Sequence, residues 1–228
     1  MTTSALSTVR AAVPRTRKGR LTRARVVKAA HEVFARDGYV AARMSDVVIA
    51  ARLSTGGVYR YFGGKEDLFA AVIEDLHEKL FAASRSHRYR FKSRPFEALL
   101  AANLGYIKLY SDNAAVLAAF QEAAAVNRRF AALWSAMRLR HVERFRVVME
   151  RDFGLREVNG LPVRRLAEAL ACMTEQAAHV WFFESDPAVR PTVEEAARAV
   201  THVWYCTFFH QNPSGARPGG GRGSGAKE

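Results

Sequence analysis

Apolar side chains recur at three- and four-residue steps along nearly the whole chain, and that period predicts helix after helix. Val26, Ala30, Val33 and Phe34 form the stripe of a first helix, with Thr22 as its N-cap and Gly38 as its stop. Two short helices follow at about 45–51 and 55–62, and Gly63-Gly64 then breaks the chain. A longer helix from Lys65 to about Ser84 turns Leu68, Phe69, Val72, Ile73, Leu76 and Leu80 to one side. Pro95 opens the next, which runs to about Ser111. Further helices are expected at about 113–125, 127–153 (stopped by Gly154), 162–184 (broken by Asp186-Pro187) and 192–211. The last begins with a capping box, Thr192-x-x-Glu195. No convincing strand alternation and no internal repeat interrupts this series. The expected fold is all-α, with about nine helices.

Both ends differ from this body. Residues 1–21 read as a basic flexible arm, with Arg10, Arg15, Arg17, Lys18 and Arg20 and no acid. Residues 212–228 form a Gly/Pro/Ser-rich tail that cannot bury a core and reads as disordered. Of the 228 residues, 49% are hydrophobic and 25% charged, enough apolar surface for a packed core. No apolar run approaches the ~18–20 residues of a membrane span. The basic N-terminus lacks the apolar segment of a secretory signal. Two cysteines, Cys172 and Cys206, make no disulfide framework, and a reducing, cytoplasmic setting is the simpler expectation.

Charge adds direction. The net charge is +13, and the first 67 residues hold thirteen Lys/Arg against five Asp/Glu. That asymmetry points to a polyanionic partner for the N-terminal part, with nucleic acid and an anionic membrane surface both open at this stage.

The two short helices narrow the choice. Only Arg52-Leu53-Ser54 separates them, the spacing of a helix-turn-helix whose second member enters the major groove. Val47, Val48, Leu53 and Val58 are apolar where the two helices must lock, whereas Ser54, Thr55, Tyr59 and Arg60 are polar and reach outward. Ser54 or Thr55 can cap the second helix, whose N–H groups and dipole favour a phosphate. Gly56 and Gly57 would let backbone approach a duplex closely, at about 1 kcal/mol each in helix propensity.

The stretch Thr22 to Leu76 resembles the DNA-binding domain of TetR-type transcriptional regulators. The resemblance rests on Phe34–Tyr39, Asp46-Val47, Ala50-Ala51, and Val58-Tyr59-Arg60-Tyr61-Phe62 followed by Gly64-Lys65-Glu66-Asp67-Leu68. It implies that Thr55, Gly56, Tyr59 and Tyr61 meet base edges and phosphates. It also implies that Lys65 contacts a phosphate and that Arg43, Met44 and Ser45 lie near phosphates. With Ser54, Gly57 and Arg60 these make up the expected DNA-binding set. Three departures stand out: Arg52 replaces the turn glycine, Gly57 a small polar residue, and Thr55 a common Lys or Arg. The last two remove base-reading groups and shift weight to phosphate contacts.

Beyond residue 67 large apolar side chains abound. Phe130–Met137, Leu166–Glu175 and Val200–Tyr205 are similar to effector domains of the mycobacterial ethionamide-resistance type. That resemblance implies a pocket for a hydrophobic small molecule lined by Leu99, Tyr106, Tyr110, Phe120, Trp134, Met137, Thr174 and Trp204. Tyr106, Tyr110 and Thr174 are its expected hydrogen-bonding groups. Val180-Trp181-Phe182-Phe183 cannot all face one core, and the surplus fits a homodimer through the last two helices.

Rival classes fit less well. The seven histidines show no HExxH spacing, no CxxC accompanies them, and no phosphate loop follows a strand, so neither a catalytic site nor a metal or other cofactor is expected. Redox sensing would need an activated thiol, but both cysteines lie among apolar residues. Membrane-surface binding would need the apolar face of helix one, which the three-helix core requires. The expectation is a ligand-responsive, homodimeric transcriptional regulator, a repressor rather than an activator. Residues 22–67 would bind operator DNA, and residues 68–211 an effector and the second subunit.

Overall fold

The computed structural model describes residues 14–86 and 88–209. The first thirteen residues of the expected arm and the whole tail lie outside them. Among the described residues nine α-helices follow in chain order: α1 (Arg17–Ala41), α2 (Met44–Ala51), α3 (Thr55–Tyr59), α4 (Lys65–Ala83), α5 (Pro95–Asp112), α6 (Ala114–Val126), α7 (Arg128–Phe153), α8 (Val163–His179) and α9 (Val193–Phe209).

The amphipathic stripes explain the assembly. Val26, Ala30, Val33 and Phe34 of α1 are all buried, and they close on Val47, Val58 and Phe62 to make a small three-helix core. That core is continuous with the larger one through α4. There Phe69 touches Phe34, Tyr39, Phe120 and Phe130 at ring-centroid distances of 4.5–6.3 Å. In the larger part α5 packs along α9, and α7 along α8.

Several ends differ from expectation. Helix α1 begins five residues before Thr22, because the Thr16 side chain caps it by accepting from the Gly19 N–H at 3.1 Å. The Thr22 hydroxyl instead donates to the Lys18 carbonyl inside the helix. Helical geometry does break at Gly38, whose φ of 74° turns the chain toward Tyr39. A two-residue hairpin, β1 (Glu157–Val158) with β2 (Leu161–Pro162), lies between α7 and α8. Asn159 and Gly160, both at positive φ, turn it. The end of the expected 162–184 helix widens into a π-turn over Val180–Glu184, which buries Phe182 and leaves Phe183 47% exposed.

Gly105 marks a close helix crossing. A Cβ there would lie 2.1 Å from the Ala83 carbonyl oxygen, so only glycine lets α5 pass this close to the end of α4.

Candidate nucleic-acid interface and interior cavity

Helices α2 and α3 meet at Arg52, which takes the left-handed conformation (φ 51°) and ends α2. Leu53 and Ser54 complete the turn. The Ser54 hydroxyl accepts from the Gly57 N–H at 3.2 Å and caps α3. Val47 and Val58 are buried and lock the pair, with Val48 and Leu53 half-buried beside them.

The opposite face is open. Arg43, Ser45, Ser54, Thr55, Gly56, Tyr59 and Arg60 are exposed, while Met44, Gly57 and Tyr61 are half-buried. The helix is shorter than the expected 55–62. Arg60 and Tyr61 continue as a turn, with the Tyr61 and Phe62 N–H groups donating to the Val58 carbonyl. A Cβ on Gly56 would meet nothing within 4 Å, whereas one on Gly57 would press on Ser54 Oγ at 3.2 Å. Gly57 therefore makes room for the cap more than for a duplex.

Lys65 is tied into the protein. Its ammonium donates to the carbonyl oxygens of Tyr39 (2.9 Å), Val40 (3.0 Å) and Ala42 (3.2 Å) and lies 4.8 Å from the Tyr39 ring centre. An ammonium has three N–H donors, and all three are occupied. In this arrangement the ammonium braces the chain entering α2.

The sequence reading missed the start of α1. There Arg17, Lys18, Arg20 and Arg25 are exposed on ordered helix. The signal was Thr16-x-x-Gly19, a cap masked by the basic run around it. Also unforeseen were the ties between this unit and the rest of the molecule. The Tyr39 N–H donates to Glu122 Oε2 at 2.6 Å, and His31 bonds Asn113 at 2.9 Å. Asp67 pairs with Arg129 at 3.3 Å.

The larger helical part holds a cavity of about 910 Å³ between α5, α7, α8, α9 and the segment that follows α4. A neighbouring space of about 50 Å³ shares Tyr106, His141 and Glu175 with it. Leu99, Tyr106, Thr174 and Trp204 line the larger cavity. Tyr110, Phe120, Trp134 and Met137 line the smaller one, again with Tyr106. The expected ligand set thus divides between two adjoining spaces. The Thr174 hydroxyl donates to the Leu170 carbonyl and accepts from Trp204 Nε1 at 3.0 Å, so its proton is already used. The Tyr110 hydroxyl is buried without a hydrogen-bond partner, and burial raises its pKa. Glu175 accepts from Trp134 Nε1 (3.2 Å) and Arg138 Nε (2.8 Å). Burial raises its carboxyl pKa against the pull of Arg138. Burial, and then the neighbouring Arg144, His77 and Arg140, lower His141 to about 3.

Residues 26–72 match the family described as bacterial regulatory proteins, tetR family, and residues 101–209 match the C-terminal domain of the transcriptional regulator EthR. The chain belongs to the tetR family. Its N-terminal part is 36% identical over 56 residues to the HTH-type transcriptional repressor NicS of Pseudomonas putida, spanning 25% of this chain and 26% of that protein. It is 42% identical over 53 residues to the HTH-type transcriptional repressor SCO4008 of Streptomyces coelicolor, spanning 23% and 28%. These alignments cover about a quarter of each curated relative. Solved structures extend the likeness of fold across the chain. The tetR-family regulator PfmR of Thermus thermophilus superposes with a TM-score of 0.59 at 24% identity, over 78% of this chain and 96% of that one. A transcriptional regulator of Rhodococcus sp. Rha1 superposes with a TM-score of 0.63 at 23% identity, over 80% and 95%. The family and these relatives are transcriptional regulators rather than enzymes. Within this tetR-family regulator, then, α2 and α3 fall in the first matched region, and most of the cavity's lining falls in the second. No helix of the described residues is long and apolar enough to cross a membrane.

Proposed function

We propose that the protein is a cytoplasmic homodimeric repressor that binds a pseudo-palindromic operator and leaves it when a small molecule enters the cavity. The observation that carries the reading is the open face of the capped α3. Thr55, Gly56, Tyr59 and Arg60 are exposed there. Phosphate contacts from Arg17, Lys18, Arg25, Arg43, Ser45 and Tyr61 would position the unit, and Thr55, Tyr59 and Arg60 would meet the groove. NicS and SCO4008, each named a repressor, support the sign.

Dimerisation is supported by the outer faces of α8 and α9. Ala169, Cys172 and Gln176 on one, Val203 on the other, and nearby Phe183 are exposed and uncharged. Two copies packed there would form a four-helix bundle and present two α3 helices to one face of a duplex. Their spacing would be ~34–36 Å or a multiple of it.

Helix α4 carries the coupling. Ile73, His77 and Leu80 of α4 line the smaller space, Ser84 just past its end lines the larger, and its first residue, Lys65, braces the chain entering α2. A ligand that displaces the end of α4 shifts the population of α3 spacings that fit DNA. Fluorescence anisotropy with a selected duplex tests the reading. Tyr59→Ala and Arg60→Ala should each weaken binding at least about tenfold, near the ~1–3 kcal/mol of a lost specific contact. Unchanged affinity in both variants would refute the placement of α3.

A further inference from the structure

The cavity wall is apolar inside and cationic at its mouth, and the cations lack counter-charges. Arg85, Arg88 and Arg90 lie on the segment between α4 and α5, and Arg144 lies on α7 beside them. Among the described residues no carboxylate forms an ion pair with any of these four. Elsewhere on α7 most arginines are matched, Arg140 with Glu78, Arg146 with Glu143 and Glu150, and Arg151 with Asp152. The two acids of the wall are committed, Asp152 to Arg151 and Glu175 to Arg138.

Arg144 is held rather than free. Its guanidinium donates to the Phe81 carbonyl (2.6 Å), the Ser84 carbonyl (2.7 Å) and Ser84 Oγ (2.6 Å), and stacks 4.1 Å from the Phe81 ring centre. Of its five N–H donors, two take part in none of these bonds. Burial first, then Arg85 and Arg140, lower its pKa to about 10, so it stays charged at neutral pH inside a group of like charges. A half-buried cation among cations is costly unless an anion joins it. Leu99, Phe145 and Trp204 line the same space with apolar surface. Its volume of about 910 Å³ is at the upper end of ligand cavities.

We propose that the cavity takes an amphipathic anion, with a carboxylate or phosphate head on Arg85, Arg88 and Arg144 and an apolar chain against Leu99, Phe145 and Trp204. This rests on the effector reading above and gives the expected hydrophobic ligand an anionic head.

Calorimetric titration of the full chain tests it with dodecyl phosphate, laurate and dodecanol, each below micelle formation. One charge-assisted contact predicts that at least one of the two anions binds about 10- to 100-fold tighter than the alcohol. The tighter anion identifies the head as phosphate or carboxylate. R85Q/R88Q changes two exposed side chains and should erase about tenfold of that preference while leaving dodecanol binding unchanged. R144Q should do the same, and if it fails to fold the double variant decides alone. Dodecanol binding as tightly as both anions, or a preference that survives in R85Q/R88Q, would overturn the charged-head assignment alone. Binding by none of the three would overturn the effector-cavity reading with it.

Discussion

Replacing Lys65 with Met separates two roles that one sequence position could serve. The ammonium holds the carbonyls of Tyr39, Val40 and Ala42 and lies against the Tyr39 ring. Met keeps the apolar stem and deletes the charge. Hydrogen bonds to a charged group contribute about 1.5–3 kcal/mol each, but three that share one ammonium do not add. The ring contact contributes about 0.5–1 kcal/mol at a site this open. A total loss of about 2–4 kcal/mol follows, or about 5–15 °C in Tm for a chain of this size. Circular dichroism melts measure it. The second assay is the salt dependence of DNA binding. If Lys65 is a brace, K65M weakens binding while the slope of log K against log salt stays the same. If it contacts a phosphate, the slope falls by about 0.9. An unchanged Tm with a shallower slope would refute the brace.

Other consequences are as direct. Gly105→Ala forces a Cβ onto the Ala83 carbonyl and should cost about 1–3 kcal/mol in urea unfolding, the penalty of overpacking; an unchanged midpoint would mean that α4 and α5 part easily. Tyr110→Phe removes a buried hydroxyl without a partner and should leave stability equal or up to about 1 kcal/mol higher; a clear loss would reveal a partner for it. His141 stays neutral in the fold down to about pH 3, whereas the unfolded chain takes up its proton near ~6.5. Between those values the unfolded state binds the extra proton, so stability falls as pH is lowered, by up to about 1.4 kcal/mol per unit from this residue. His141→Gln should flatten urea midpoints compared at pH 7 and pH 5; an equally steep profile would place the acid sensitivity elsewhere.

Where stripes were strong, the chain was legible. Helices α4, α5, α6 and α7 lie within about two residues of their expected ends, because Pro95, Asn127 and Gly154 punctuate long apolar periods. The start of α1 was hidden because Arg17 to Thr22 has no apolar period, and a polar cap at Thr16 supplies the stop instead. The hairpin at 157–162 showed only its Asn159-Gly160 turn, since strands of two residues carry no alternation.

At the candidate sites, residue type told less than partners did. Thr55, Tyr59 and Arg60 face solvent because the period of α3 puts Val58 inward. Lys65 and Thr174 looked available but are satisfied within the protein, and sequence cannot show how a donor's bonds are spent. The cationic mouth was missed, although Arg85, Arg88, Arg90, Lys92 and Arg94 stand close together in the chain. Its lack of counter-charges was not legible, because pairing on α7 depends on which helices meet.

The central claim is that α3 lies in the groove of a duplex while two copies of the chain act together. Selection of bound duplexes from a random pool, at low and then physiological salt, tests it most directly. The account predicts enrichment of an inverted repeat whose half-site centres lie one helical turn, or a whole multiple of it, apart. A pool that stays random at every salt concentration would contradict it.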